Sequence, residues 1–288
     1  MSIVHRRVHT GRLELHVAEL GEGPAVLLLH GFPAYWQDWQ RQMVALAASG
    51  FRAIAVDLPG YGDSERLKAV LDYRASALAD DLAGLIVALG LKSVHVIGHD
   101  WGGTLAYTLA AAHPALVERL IVINAGHPLL IQRALGHFEQ LRRSWYMFLF
   151  QLPWLPEWLL RRRATISLCT RGMEVRSGAF SDDDLERYSA AMRAPGVARA
   201  ALSYYRAAFR APSRGPTEIP QRTLVLWGER DQALSAKLLL GDLHEHVPHL
   251  RISRFANAGH WLHHDLPEVV NRHVVEFLSA AVTLTPES

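Results

Sequence analysis

An aspartate stands where a short apolar run meets a glycine-rich segment, a setting that can make a carboxylate reactive. Residues 94–103 read VHVIGHDWGG, so Asp100 follows a run typical of a buried strand and precedes a helical pattern. A sharp strand-to-helix turn lifts one side chain above the edge of a sheet, and glycines allow the tight packing that it needs. Two interpretations are open for Asp100: a nucleophile, or an ordinary N-cap of the helix.

A second segment supplies an amide that could stabilise negative charge beside Asp100. His30-Gly-Phe-Pro33 follows the first buried run of the chain. The backbone N–H of Phe32, paired with that of Trp101, could form an oxyanion hole. The sequence therefore predicts that this segment and Asp100 meet at one edge of a sheet.

An acid and a histidine follow two later runs. Asp231 comes just after residues 223–226, and His260 comes just after residues 251–255. The chain order of nucleophile, acid and histidine is that of enzymes in which the acid orients the histidine and the histidine acts as a base. Each of these sequence signals is weak alone. Four of them at the ends of four different strands favour the nucleophile interpretation of Asp100.

A carboxylate in this place selects alkyl transfer. With a reference pKa of ~3.9, Asp100 is ionised at neutral pH and can displace a leaving group from a saturated carbon to form an alkyl ester. Acyl transfer to a carboxylate would instead give a reactive anhydride. His260, oriented by Asp231, would then deprotonate the water that hydrolyses the ester. The expected electrophile is an epoxide or a carbon–halogen bond.

The elements that must position these residues alternate along the chain. Apolar runs at 25–29, 53–56, 94–97, 120–123 and 223–226 predict buried strands, and 36–48, 74–89 and 103–113 predict helices between them. This rhythm indicates an α/β fold with a mostly parallel, doubly wound sheet. Residues 4–19 alternate in the manner of an antiparallel hairpin and should extend one sheet edge.

The rhythm breaks between two strands. Residues 128–216 have a helical pattern without a convincing strand, which divides the chain into a first core part (1–127), a helical cap (128–216) and a second core part (217–288). The cap holds 14 Arg and Lys against 7 Asp and Glu, an excess of 14 − 7 = +7 in a chain of net charge +2. We expect its aromatic residues from Trp145 to Trp158 to line the pocket or pack on the core, rather than form a membrane-facing patch. Arg161–Arg163 should be a solvated helix face.

These motifs resemble those of the α/β-hydrolase superfamily over nearly the whole chain, and within it those of the epoxide hydrolases. His30-Gly-Phe-Pro33, Gly60-Tyr-Gly-Asp-Ser64 and Gly98-His-Asp100-Trp-Gly-Gly103 each match a motif of that family. The resemblance implies an α/β-hydrolase fold and two cap tyrosines that bind and protonate the epoxide oxygen. They map to Tyr146 and to Tyr205. Tyr204 is the adjacent alternative, but Tyr205 directly precedes an arginine, as the family's tyrosine does.

Two other functions compete with epoxide hydrolysis. A haloalkane or haloacetate dehalogenase would use the same aspartate, with Trp101 as a halide donor. The fluoroacetate group, however, carries a His-Trp pair where this chain has Trp145-Tyr146, and an arginine where it has Trp101. A non-catalytic binding protein on the same scaffold would have no need of the complete set of Asp100, Asp231 and His260.

The composition of the chain indicates its class of protein, its location and its partners. Hydrophobic residues make up 50% and charged residues 20% of 288 residues, as in ordinary globular proteins. No apolar run reaches the ~18 residues of a membrane span, and the N-terminus lacks an apolar signal core. The one cysteine, Cys169, should be a packing residue. We expect a cytoplasmic enzyme without cofactor or nucleic acid, acting on a small lipophilic epoxide; a homodimer is compatible with the sequence.

The 16 histidines raise the question of a metal site. The candidate groups are His260, His263 and His264, and separately His244 with His246. Neither spacing matches a zinc motif, so no metal is expected. Asn124, after the sixth strand, occupies a place where some relatives carry the acid, but an amide cannot serve that role.

Overall fold

Eight strands form one sheet, in a computed structural model that describes residues 2–212 and 218–280. Their order is β1-β2-β4-β3-β5-β6-β7-β8. β2 is antiparallel to both of its neighbours, and every other neighbouring pair is parallel. The strands are β1 (Val4–His9), β2 (Glu14–Leu20), β3 (Ala25–Leu29), β4 (Arg52–Val56), β5 (Val94–His99), β6 (Val117–Ile123), β7 (Arg222–Gly228) and β8 (Leu250–Phe255).

Helices follow most of the parallel strands, and several of them begin at a proline. Proline has no N–H to donate and suits the first turn of a helix, as at Pro128 and Pro267. The α-helices are α1 (Gln40–Ala48), α2 (Ala75–Ala88), α3 (Trp101–Ala112), α4 (Pro128–Ala134), α5 (Phe138–Arg143), α6 (Trp145–Leu149), α7 (Leu155–Leu160), α8 (Arg163–Cys169), α9 (Asp182–Arg193), α10 (Val197–Arg210), α11 (Ala236–Leu240), α12 (Leu262–Asp265) and α13 (Pro267–Ser279).

Two apolar layers enclose the sheet. Successive side chains of a strand point to opposite faces, so in β3 Leu27 and Leu29 join the layer under α2 and α3, while Val26 and Leu28 join the layer under α1 and α13. A sheet buried on both faces explains why its central strands are apolar at consecutive positions. The expected α/β-hydrolase architecture is confirmed.

One predicted helix is divided in two. Residues 36–48 form a 3-10 turn over Trp36–Trp39 followed by α1. Asp38 and Trp39 in this turn are both buried, and Asp57 accepts the N–H of Trp36 at 2.9 Å. These contacts with other parts of the chain hold the turn in a tighter geometry than the local helical pattern suggested.

The segment between β6 and β7 is helical. Residues 128–212, which we call the helical segment, contain α4 to α10 and no strand within the part that the structure describes. The predicted boundary at 216/217 and the tail from 281 lie outside the described residues, and the division into core and cap stays a prediction. Cys169 is half-buried, and burial raises the pKa of its thiol to about 12. Across the described ranges, no helix has the length and apolarity that crossing a membrane requires.

The expectation for the aromatic residues of this segment is partly wrong. Tyr146 lines a cavity and Phe150 is buried, as expected. Trp145, Trp154 and Trp158 instead lie on the surface. Their positions follow from helix geometry, since neighbouring positions on a helix point to different sides, and the sequence did not reveal which side would face water.

Candidate active site

Asp100 lies at the sharp turn between β5 and α3. Its φ of 51° and ψ of −120° are rarely adopted by residues with a side chain. Such a conformation costs on the order of 1–3 kcal/mol and persists only where the surroundings impose it. Gly102 allows that packing, because a Cβ there would lie 2.0 Å from the carbonyl oxygen of Leu29. The close approach of α3 to β3 therefore fixes the turn that presents Asp100.

The carboxylate of Asp100 contacts the two amides singled out in the sequence. The N–H of Phe32 donates to its Oδ1 at 2.8 Å, and the backbone amide of the adjacent Trp101 acts to lower the pKa of the carboxyl group. Gly31 permits this approach, since a Cβ there would lie 2.5 Å from the Cβ of Asp100. Asp100 makes no helix-capping side-chain hydrogen bond, so capping does not account for an aspartate here.

Asp231 and His260 reach the same edge of the sheet from the loops after β7 and β8. Nδ1 of His260 lies 2.9 Å from Oδ2 of Asp231. Nε2 of the same ring lies 3.7 Å from Oδ2 of Asp100. The other oxygen of Asp231 accepts the N–H groups of Ala233 and Leu234 at 2.8 and 2.9 Å. The imidazole of His260 therefore lies between the carboxylates of Asp231 and Asp100, as the sequence predicts for the acid, the histidine and the nucleophile.

Asn124 is a part of this arrangement that sequence reasoning missed. Its Nδ2 donates to Oδ2 of Asp231 at 2.8 Å, and its Oδ1 accepts the N–H of Gly228 at 2.9 Å. The residue has a φ of 40°, which asparagine tolerates better than most side chains. Asn124 therefore holds the same carboxylate oxygen that faces His260. Its place after β6 is the available signal, but the sequence alone does not show that an amide at this place orients Asp231.

Burial and neighbouring charges act in opposite directions on the pKa values of His260 and Asp100. Burial by itself lowers the pKa of His260, but the charge and hydrogen bond of Asp231 and the charge of Asp100 outweigh it and raise the pKa to about 9. Burial raises the pKa of Asp100, while the charge of His260 and the amides of Phe32 and Trp101 act in the opposite direction. The charge on Asp100 therefore depends on these three partners.

A cavity of about 830 Å³ separates the strand ends from the helical segment. Asp100 and Trp101 line it from the sheet side, and Tyr146 and Tyr205 line it from α6 and α10. The two tyrosine rings are 6.0 Å apart, nearly perpendicular to each other. Burial raises the pKa of both phenols, with the charge of Asp100 adding to it. Both tyrosines therefore keep their protons at neutral pH.

Tyr205 and its neighbour Tyr204 differ in the contacts that their side chains make. The ring of Tyr205 packs edge-on against the indole of Trp101, with ring centroids 5.1 Å apart. Tyr204 also borders the cavity, but its hydroxyl donates to the carbonyl oxygen of Pro59 at 2.8 Å. The hydroxyl of Tyr204 is therefore engaged with the core, while Tyr205 lies beside the carboxylate.

The segment Gly60–Ser64 contacts Asp57 and His30, which lie after β4 and β3. Ser64 donates its hydroxyl to the carbonyl of Asp57, whose carboxylate accepts the N–H of Asp63 at 3.1 Å. Next to this loop, the ring of Tyr61 packs edge-on against His30, and His30 accepts the N–H of Leu58 at 3.0 Å. These residues shape the loops behind the site and do not reach Asp100.

A second buried carboxylate lies behind His260. Asp38 contacts Nε2 of His263 and of His264 at 3.0 and 2.7 Å, and it accepts the hydroxyl of Tyr188 at 2.6 Å. Side-chain atoms of Asp38, His99 and His263 lie within 4.8 Å of one another. This grouping differs from the histidine sets considered in the sequence. The oxygens of Asp38 already have hydrogen-bond partners, which account for its charge without an ion.

Comparison with known proteins agrees with this architecture. The profile of the family described as "alpha/beta hydrolase fold" matches residues 24–267. Epoxide hydrolase 3 of Xenopus tropicalis is 36% identical over 94% of this chain and 76% of its own length. The chain belongs to the epoxide hydrolase family of the α/β-hydrolases. Another family relative, the AB hydrolase superfamily protein YfhM of Bacillus subtilis, is 36% identical over 94% of this chain and 96% of its own.

Solved structures of the family superpose closely on the chain. The epoxide hydrolase of Bacillus megaterium, crystallised with an inhibitor, has a TM-score of 0.86 and 28% identity, covering 96% of this chain and 100% of that one. The epoxide hydrolase VrEH1 of Vigna radiata has a TM-score of 0.82 and 25% identity over 96% of this chain. The family assignment therefore holds over both the sheet and the helical segment.

Proposed function

We propose that the protein converts an epoxide and water into a vicinal diol through a covalent alkyl ester on Asp100. The observation that carries this proposal is the placement of the Asp100 carboxylate. One oxygen contacts the amide of Phe32 at 2.8 Å and the other lies 3.7 Å from His260, in a cavity also lined by Tyr146 and Tyr205. The names of the relatives add independent support.

In the first step, Oδ2 of Asp100 attacks an epoxide carbon. The C–O bond of the ring breaks as the new C–Oδ2 bond forms, and the released alkoxide takes a proton from Tyr146 or Tyr205. Their raised pKa values keep that proton in place until the alkoxide develops. Fixing the carboxylate in line with the carbon can supply on the order of 7–11 kcal/mol through effective molarity.

In the second step, His260 takes a proton from water, which attacks the Cγ of Asp100. The negative charge that develops on Oδ1 is stabilised by the N–H groups of Phe32 and Trp101. The bond between Cγ and Oδ2 then breaks, and Oδ2 leaves with the alkyl group, taking the proton of the new Asp100 carboxyl group to become a hydroxyl of the diol. The imidazolium of His260 returns its proton to the phenolate left by the first step, which restores the tyrosine. Asp231 stabilises the imidazolium that forms on His260.

Alkylation itself prepares His260 for the second step. While Asp100 is ionised, its charge helps to keep the pKa of His260 near 9. The alkyl ester is neutral, so this contribution disappears and the pKa falls. His260 then gives up its proton more readily and is available as a base once the ester has formed.

The helical segment acts as a cap in this proposal. It supplies Tyr146 and Tyr205 from above the cavity and restricts water from the carboxylate. A dehalogenase of the fluoroacetate type is disfavoured because this chain has Trp145-Tyr146 in place of that group's His-Trp pair and Trp101 in place of its arginine. Two predictions of the sequence complete the proposal: the enzyme acts in the cytoplasm, and its substrate is a lipophilic epoxide. A homodimer is compatible with both.

A substrate panel tests the choice of electrophile. Styrene-type, aliphatic and fatty epoxides are compared with haloalkanes and haloacetates, and diol and halide are measured separately. We expect diol from epoxides, and slower ring opening in Tyr146→Phe and in Tyr205→Phe. Rapid halide release, together with unchanged rates in both variants, would replace the epoxide with a carbon–halogen bond.

A further inference from the structure

The helical segment presents large apolar side chains to solvent. Every exposed tryptophan or phenylalanine among the described residues lies in it. Trp154 is 82% exposed, Phe138 79% and Trp145 62%. We call this surface the apolar face, and it consists of Phe138, Leu141, Trp145, Phe148, Trp154 and Trp158. Scattered apolar residues are ordinary on a surface, but a group of six in one segment points to an interaction site.

The first part of the apolar face is one side of a helical pair. Phe138 and Leu141 are three residues apart on α5, and Trp145 and Phe148 are three residues apart on α6, so each pair shares one side of its helix. Phe148 packs against Phe209 of α10, with ring centroids 5.5 Å apart.

The second part lies beside it on α7. Arg206, one turn before Phe209, donates to the carbonyl oxygen of Leu152 at 2.7 Å and contacts Glu157 of α7 at 2.6 Å. This arginine therefore joins the turn after α6 to the helix that carries Trp154 and Trp158. Phe148 of the first part and Glu157 of α7 thus both contact α10.

Trp154 combines exposure with an unfavourable backbone. Its φ of +60° and ψ of −43° place it at the centre of a γ-turn, closed by the N–H of Leu155 and the carbonyl oxygen of Pro153 at 2.7 Å, a conformation that is rare and strained. Because Trp154 is exposed, it does not contribute to the core, and its large side chain does not stabilise this backbone conformation. A role in contact with another surface accounts for both features.

The apolar face comes from a stretch of the chain that is rich in positive charge. Residues 133–163 contain six arginines and two glutamates, a net of 6 − 2 = +4. One of the glutamates, Glu157, is already paired with Arg206. Arg142, Arg161 and Arg162 make no salt bridge within the described part of the chain, and Arg162 lies over the Trp158 ring at 4.3 Å. Tryptophan with adjacent arginine is the composition that favours the interface of an anionic membrane.

We propose that the apolar face docks on an anionic membrane surface, with its tryptophans at the level of the headgroups and its arginines on lipid phosphates. A second copy of the chain fits less well, because a two-fold interface would bring two surfaces of like charge together. The cavity lies directly behind: Phe209 both lines it and contacts Phe148. Docking does not depend on the reaction proposed above.

Vesicle binding tests the proposal. The full chain is mixed with vesicles of phosphatidylcholine alone or with added phosphatidylglycerol, and bound protein is measured by sedimentation. We expect binding to the anionic vesicles that weakens with salt. The variant W145S/W154N should bind them roughly tenfold less or worse. Both tryptophans are largely exposed, so this variant should fold, and its turnover of a water-soluble substrate should equal that of the wild type.

Two further variants separate charge from apolar contact. R161Q/R162Q should lower binding by roughly fivefold for each arginine, as expected for basic residues near an anionic surface. Val44→Ser removes an exposed apolar side chain of α1, outside the helical segment, and should leave binding unchanged. The proposal is overturned if the wild type ignores anionic vesicles, or if W145S/W154N binds as well as the wild type. A dimer that the same variant dissociates would also overturn it.

Discussion

Replacing Asp231 with asparagine should separate the two chemical steps. Oδ1 of Asp231 accepts the N–H groups of Ala233 and Leu234, so an asparagine oxygen would take that place. Its amide nitrogen would then face Nδ1 of His260, where a carboxylate oxygen now lies at 2.9 Å. Two donors would oppose each other, and the imidazole would adopt the tautomer whose Nε2 carries a proton. Such a ring cannot accept a proton from water.

The magnitude follows from the pKa of His260. Its rise from 6.5 to about 9 corresponds to about 3 kcal/mol in favour of the imidazolium, part of which comes from Asp100. Because His260 becomes an imidazolium as water attacks, losing Asp231 should slow ester hydrolysis on the order of 10²-fold through charge alone. The wrong tautomer extends the loss toward about 10⁴-fold. Attack by Asp100 needs no base, so ester formation should change by less than about fivefold.

The assay is rapid mixing followed by intact-protein mass spectrometry. Asp231→Asn should accumulate close to one equivalent of protein whose mass is increased by that of the epoxide, while the wild type shows little. Glu229→Gln is the matched control, because Glu229 is an acid on the same loop that pairs with Arg254 instead of His260. Equal slowing of both steps, or no accumulated ester, would refute the reasoning.

Three further predictions concern neighbouring residues. Tyr205→Phe should slow ring opening on the order of 10²-fold, the lower end of general acid catalysis, while Tyr204→Phe should stay within a few-fold in the same single-turnover assay. Hydrolysis of the ester should increase with pH as His260 loses its proton, with a midpoint below 9, because the ester no longer carries the charge of Asp100; stopped-flow measurement of the second step gives that midpoint. The double variant N124D/D231N should recover at least about tenfold of the hydrolysis lost in Asp231→Asn, because residue 124 lies 2.8 Å from Oδ2 of Asp231.

Each of these has a clear contrary result. Equal losses in the two tyrosine variants would indicate a packing effect rather than proton donation. A midpoint at 9 or above would mean that the charge of Asp100 does not influence His260. A double variant no faster than Asp231→Asn would show that a carboxylate at residue 124 cannot orient the histidine.

Strands with an unbroken apolar sequence could be located from the sequence alone. β3 has the predicted bounds, Ala25–Leu29, because each of its residues is buried and apolar. β6 begins at Val117, three residues before the predicted run, because Glu118 and Arg119 interrupt the apolar pattern. Arg119 is nevertheless buried, donating to the carbonyl oxygen of Leu278 at 2.8 Å at the end of α13. Because Leu278 is 159 residues away from Arg119, the sequence around Arg119 does not show that this arginine is buried in a strand.

In the active site too, some residues can be predicted from the sequence and others cannot. Asp100, Asp231 and His260 were found because each follows a strand, and the ends of parallel strands must meet. Asn124 also follows a strand, but its role depends on the orientation of an amide toward Asp231. The tryptophans of the helical segment show the same limit, because periodicity reveals an apolar side of a helix and not what that side faces. Contacts between distant parts of the chain decide both.

The most direct test of the account is one turnover in heavy-oxygen water. With enzyme in excess over epoxide, the oxygen added to the diol should come from Oδ2 of Asp100 and carry no label. The label should appear in the peptide that contains Asp100, and a second turnover should transfer it to the diol. A fully labelled diol from the first turnover, with no label in that peptide, would mean that water attacks the epoxide directly and that Asp100 is not the nucleophile.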